Sequence, residues 1–161
     1  MDDRRGKVVR NGRVLVAGAA RVELLDLLIE DGRIREIGAP GMAAPVSAER
    51  IDADDRLIIP GLVNSHTHAH GGLGKGGVSD RLPLEVFLTG SGALNGSRTL
   101  DDKYLSAQLS AVEMVRKGCT AAYDLFVEYP VPSIEGVDAV ARAYRDVGMR
   151  AVIAPMVADR T

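Results

Sequence analysis

The chain has a single cysteine, Cys119, so it can form no intrachain disulfide, which fits a reducing compartment. It has no apolar run near the roughly 18 residues that span a bilayer. Met1-Asp2-Asp3-Arg4-Arg5 is not followed by the apolar stretch of a secretory signal, so a cytoplasmic location is expected. An excess of either charge is missing too. Twenty basic residues stand against twenty-two acidic ones, interspersed, for a formal net charge of -2. That leaves no electrostatic footprint for nucleic acid or an anionic membrane surface, and a small-molecule partner is expected. There is no internal repeat or low-complexity tract. With 161 residues, 46% of them hydrophobic and 26% charged, the chain can build one globular core but falls short of a complete α/β barrel of about 250 residues.

What is present divides into two regions, 1–59 and 60–161. The first shows short β-rich runs: Val8-Val9, Val14-Leu15-Val16, Glu23 to Glu30 and Arg33 to Gly38, with Asn11-Gly12 and Asp31-Gly32 between them. Asn-Gly and Asp-Gly supply the positive φ of tight hairpin turns, so this region reads as a small antiparallel sheet. Residues 38–47 read as a loop, and 49–52 and 56–59 as two more short strands. Pro60-Gly61 punctuates the chain, and beyond it strands alternate with helices. Leu62 to His68 reads as a buried strand and Leu82 to Leu94 as a helix. Thr99-Leu100-Asp101-Asp102 reads as an N-cap opening a helix that has Leu105, Leu109, Val112 and Val115 on one face and ends at Lys117-Gly118. A strand from Cys119 to Leu125, a helix from Ser133 to Val147 stopped by Gly148, and a strand from Met149 to Ala154 follow. Single helices between strands imply right-handed crossovers and a parallel sheet. Only about three of its strands are expected in this length.

All three histidines fall in one window, Asn64-Ser65-His66-Thr67-His68-Ala69-His70. Alternate residues of a strand face one side, so His66 and His68 should project together at a strand's carboxyl end, where barrel active sites lie. Neutral imidazoles at that spacing suit Zn²⁺, iron and related divalent ions. His70 shares the parity but precedes Gly71-Gly72, which should end the strand, and it reads as a substrate contact or a support for the ligands. The plainer reading of any His-x-His, a pair of satisfied or adventitious histidines, is set aside by its flanks.

Those flanks, Leu57-Ile58-Ile59-Pro60-Gly61-Leu62-Val63-Asn64-Ser65-His66-Thr67-His68, resemble the signature of the amidohydrolase superfamily. Within it they look most like the branch of cytosine, guanine and adenosine-type deaminases and chlorohydrolases. The resemblance implies an α/β fold: the N-terminal part of a (β/α)8 TIM-type barrel preceded by a small antiparallel β-sandwich segment, both incomplete in this chain. It implies His66 and His68 as the first two metal ligands, with zinc, or alternatively iron, as the metal. It places further histidines after the fifth and sixth strands and an aspartate after the eighth, which this chain does not reach. The implied reaction is hydrolysis of a carbon-nitrogen bond other than a peptide bond, most simply deamination of a nitrogen heterocycle, and the 161-residue chain by itself is expected to turn over little or nothing. Rival readings are a two-metal cyclic-amide hydrolase of the same fold and a non-catalytic truncated subunit that binds a partner.

Other residues carry weaker signals. Gly71-Gly72-Leu73-Gly74-Lys75-Gly76-Gly77 lacks the spacing of a phosphate-binding loop and reads as a mobile loop over the barrel mouth, with Lys75 able to meet an anionic substrate group. Asp124, near the end of the second barrel strand, reads either as a site carboxylate or as a structural cap. Cys119 reads as a core residue, while Glu128 and Asp159 have only their strand-end position to recommend them. Unpaired strand edges favour a homo-oligomer or association with the missing remainder of the enzyme.

Overall fold

The computed structural model describes residues 6–79 and 81–157; Asp159 lies outside them. The chain forms two compact units, Met1–Pro60 and Gly61–Thr161.

The first unit is one sheet with the order β3-β2-β1-β4, and β5 also pairs β1. Strands β1 (Lys7–Val16), β2 (Arg21–Glu30) and β3 (Arg33–Gly38) form an antiparallel meander. Asp31 (φ 50) and Gly32 (φ 70) make the β2–β3 turn, the left-handed pair that matches strand twist. The expectation of a purely antiparallel sheet needs correction, because β4 (Glu49–Asp52) and β5 (Leu57–Ile58) both run parallel to β1. The long connection over 39–48 carries the chain back to the end where β1 starts, and that permits parallel pairing.

Asn11-Gly12 is also not a hairpin turn. It lies inside β1, where the register skips from Val9↔Leu27 to Gly12↔Leu25. Arg10 and Asn11 therefore share one opposite residue, Asp26, in a β-bulge, and the positive φ of Asn11 (59) serves that bulge. The buried Asp26 carboxylate accepts the Asn11 amide at 2.8 Å, the Gly41 amide at 2.8 Å and Arg10 Nη1 at 2.6 Å. The bulge's displaced amide is thereby satisfied.

The second unit contains a three-stranded parallel sheet ordered β6-β7-β8. Its strands are β6 (Leu62–Thr67), β7 (Cys119–Phe126) and β8 (Arg150–Pro155). A 3-10 helix (Ala69–Gly74), α1 (Leu84–Asn95) and α2 (Leu100–Arg116) connect β6 to β7, and α3 (Ile134–Val147) connects β7 to β8. Thr99 caps α2 in a reciprocal capping box with Asp102. Ser133 caps α3, whose amide Gly136 N donates to Ser133 Oγ at 3.0 Å, and Gly148 ends it at φ 80.

The core of this unit gathers Ala107, Ala111 and Met114 of α2, Ala122 and Phe126 of β7, Val140, Ala143 and Tyr144 of α3, and Met149. On α2 the buried stripe is Ser106, Ala107, Ser110, Ala111 and Met114. The apolar row read from the sequence, Leu105, Leu109, Val112 and Val115, is 40 to 49% exposed. Small residues let α2 lie close on its neighbours, and the larger aliphatic row flanks that contact. Cys119 packs against the edge of the core. Among the described residues no helix is long and apolar enough to cross a membrane.

Candidate functional site

The site is built where β6 ends. His66 lies in the strand and His68 one residue past it. Their ring centroids stand 5.0 Å apart, edge to face, so the alternation expected of an extended segment brings the two imidazoles together. Nδ1 of His68 lies 3.0 Å from the carbonyl oxygen of Leu125 on β7. A carbonyl can only accept, so this contact assigns a proton to Nδ1; in the neutral ring the lone pair is then on Nε2. The Asn64 side chain accepts the His66 amide at 3.2 Å and reaches Met114 Sδ at 3.3 Å.

His70 has the opposite arrangement. Its Nδ1 accepts from the Val127 amide at 3.4 Å, which places the ring proton on Nε2. Its ring centroid is 5.6 Å from that of His68. Burial, with the charges of His68 and Arg98 adding to it, lowers the His70 pKa to about 4, so the ring is neutral at physiological pH.

The segment after His68 is held from two sides. From β7, the fully buried Asp124 accepts the Ala69 amide through Oδ1 at 3.0 Å and the Tyr144 hydroxyl through Oδ2 at 3.0 Å. Burial raises the Asp124 pKa, while these two bonds and the neighbouring His68 pull it back in part. Burial and the adjacent carboxylate raise that of Tyr144. From α2, the buried Ser106 Oγ lies 2.9 Å from the Ala69 carbonyl and 2.8 Å from the His70 carbonyl, and it accepts the Leu73 amide at 3.1 Å. Arg98 donates to the His70 carbonyl and, at 3.2 Å, to Ser106 Oγ. A Cβ on Gly72 would stand 2.5 Å from the Ser106 carbonyl oxygen, so this glycine permits the close approach.

Residues 69–74 are therefore a 3-10 helix seated on α2, so of the glycine-rich stretch expected as a loop, Gly71–Gly74 is helical and only 75–77 form a turn. Lys75 is paired with Glu113 of α2. Glu128 braces the start of α3: it accepts the Ser133 amide at 2.7 Å and Lys103 Nζ at 2.5 Å. Burial opposes its ionisation, but those partners outweigh that and hold its carboxyl below the ordinary range. Among the described residues no group of three or more His, Cys, Asp or Glu side chains is arranged to hold a metal. Ser106, Arg98 and Tyr144 were not singled out by the sequence, since each acts through a partner 20 or more residues away: Ser106 through Ala69, Arg98 through His70 and Tyr144 through Asp124.

The model of the amidohydrolase family matches residues 57–161. The chain belongs to that family. Among its curated relatives, a 5-methylthioadenosine/S-adenosylhomocysteine deaminase of Symbiobacterium thermophilum is 38% identical over 91% of this chain and 33% of its own length. A 5'-deoxyadenosine deaminase of Methanothermobacter thermautotrophicus is 36% identical over 89% and 33% respectively. Of solved structures, an adenosine deaminase from Xanthomonas campestris with bound zinc aligns at a TM-score of 0.75 and 25% identity, covering 90% of this chain and 32% of that one. The zinc complex of atrazine chlorohydrolase from Arthrobacter aurescens aligns at 0.78 and 23%, covering 91% and 35%, and shows the common fold. This amidohydrolase-family chain thus spans about a third of the length of its relatives, and its sheets are part of a TIM-type barrel and the β-structure that precedes it.

Proposed function

We propose that this chain is the N-terminal part of a metal-dependent hydrolase that removes an amino group from a nitrogen heterocycle of the adenosine type. In that reaction water adds to the ring carbon bearing the amine, ammonia leaves and a ring carbonyl remains. His66 and His68 are the ligands this part contributes. The observation that carries the reading is the contact between His68 Nδ1 and the Leu125 carbonyl, which in the neutral ring leaves the lone pair on Nε2, with the His66 ring centroid 5.0 Å from that of His68. A carbonyl bond to the far nitrogen is the usual support of a metal-binding imidazole. The donor set fits a borderline ion such as zinc. Bound there, the ion lowers the pKa of water toward neutrality.

The remaining residues have supporting parts in this proposal. His70 offers an N-H rather than a lone pair, which suits it to a substrate acceptor and not to the metal. Asp124, with both oxygens engaged, acts through its neighbours, and Lys75 is spoken for by Glu113. The names of the curated relatives, deaminases of adenosine-type nucleosides, support the substrate class. Their greater length, and the lack of a strand partner on the outer edges of β6 and β8 among the described residues, support further strands adding at both edges.

Release of ammonia from an adenosine-type nucleoside by the intact protein is the direct test. His66→Ala and His68→Ala should each reduce the rate by at least about a hundredfold, together with zinc content. An intact protein that releases no ammonia, or variants that keep both zinc and rate, would refute the proposal.

A further inference from the structure

The ladder between β6 and β7 loses its regular register between Asn64 and Thr67, just where the histidine pair begins. Pairing resumes at Thr67↔Asp124, between the two histidines, and goes no further along β6, so His68 lies just beyond the ladder. Two consecutive residues of β7 take over. Leu125 meets the His68 ring through its carbonyl, and Asp124 meets the next backbone amide, Ala69 N, through Oδ1. The other Asp124 oxygen is tied to the Tyr144 hydroxyl on α3, and both side chains are buried. One amide needs only one acceptor. A fully buried carboxyl is a demanding way to supply it, because every buried polar atom requires a partner. What the carboxyl adds is a second bond, which links α3 to the histidine segment.

We infer that Asp124 is a positioning residue for the metal ligands: anchored on Tyr144, it holds the Ala69 amide and so keeps His68 seated on the Leu125 carbonyl in the Nδ1-H form. The inference rests on the reading of His66 and His68 as ligands, and it deepens that reading by naming what orients them. The hydrogen bonds of Asp124 go to the Ala69 amide and the Tyr144 hydroxyl, so its hold on His68 runs through the backbone, with its charge near the ring adding to that.

The test has one readout that needs no metal. Long-range proton-nitrogen NMR at pH 8, where an ordinary imidazole is neutral, reports the tautomer of His68. The wild-type protein should show the Nδ1-H form. Asp124→Ala should show averaging between the two forms, and its zinc affinity should fall roughly 10- to 100-fold, as when support of a ligand is lost. Asp124→Asn can still accept from Ala69 N and can donate to the Tyr144 oxygen, so it should keep the tautomer and stay within about threefold of wild-type affinity. Should Asp124→Ala not fold, Tyr144→Phe, which removes only the anchor, should give a partial mixture of tautomers. Val140→Ala, which removes volume from the same core but no hydrogen bond to the histidine segment, controls for general loosening and should alter neither readout. An unchanged His68 tautomer and affinity in Asp124→Ala, equal changes in Val140→Ala, or an Asn variant as impaired as the Ala variant would each overturn the inference. A wild-type protein that takes up no zinc would refute the ligand reading instead, and the tautomer measurement would still decide the role of Asp124.

Discussion

Arg10 and Asp26 face each other across β1 and β2 at 2.6 Å, the arginine side chain 17% exposed and the carboxylate fully buried. Burial acts to raise the Asp26 pKa, but the Asn11 amide, the Arg10 guanidinium and the Gly41 amide outweigh it and leave the group below its usual value. A carboxyl depressed in the folded state adds stability above its unfolded pKa of about 3.9, and that contribution disappears as pH falls through the lower folded value. Asp26→Asn should lose about 2 to 3 kcal/mol at pH 7 and show a flatter decline below pH 4. Urea unfolding at pH 7, 5 and 3 measures both, and parallel curves for the two proteins would refute the assignment.

Gly72 gives a sharper test of the seat beneath the histidines. Gly72→Ala would set a methyl group 2.5 Å from the Ser106 carbonyl oxygen and 2.6 Å from Ser110 Oγ, whereas a Cβ on Gly71 meets nothing within 4 Å. The first substitution should cost about 1 to 3 kcal/mol and about tenfold in zinc affinity. The second should leave zinc affinity as it is. Thermal unfolding and zinc titration of the two variants provide the comparison, and equal behaviour would show that the 3-10 helix is not held against α2 as described.

The two rows on α2 respond differently to substitution. Ala111 is fully buried and Leu109 is 41% exposed. In the 161-residue chain Ala111→Leu should overpack the core by about 1 to 3 kcal/mol, while Leu109→Gln should stay within about 0.5 kcal/mol of the parent. Chemical denaturation distinguishes them, and the reverse order would mean that α2 is rotated about its axis.

Two imidazoles hold an ion less firmly than a full ligand set. The 161-residue chain should take up zinc weakly, through His66 and His68, and release no ammonia from adenosine-type nucleosides. Measurable turnover by this chain alone would contradict the division of the site between this part and the rest of a longer protein.

Local chemistry was the part most legible in the sequence. The Thr99 capping box, the Ser133 and Gly148 ends of α3 and the Asp31-Gly32 turn all follow from residues within a few positions of one another. Asn11-Gly12 was misread because a bulge and a hairpin turn call for the same positive φ, and only the partner strand tells them apart. The direction of β4 and β5 depends on where the loop over 39–48 travels, which no local pattern records. On α2 the spacing of Leu105, Leu109, Val112 and Val115 identified an apolar row, but the buried stripe is the adjacent one of small residues. At the site, the parity of His66 and His68 could be read directly. Their supports could not, because Leu125, Asp124 and Ser106 reach them from other elements.

Those supports are remote along the chain: 57 residues separate His68 from Leu125, 55 separate Ala69 from Asp124, and 37 separate Ala69 from Ser106. Closing such long loops is entropically unfavourable until both ends are already ordered, whereas capped α2 and α3 can form from neighbours alone. The imidazole pair is accordingly expected to settle after α2 and α3 during folding. Its amides should exchange with deuterium ahead of those of α3, and the protein should give up its ion at temperatures where its helices still stand.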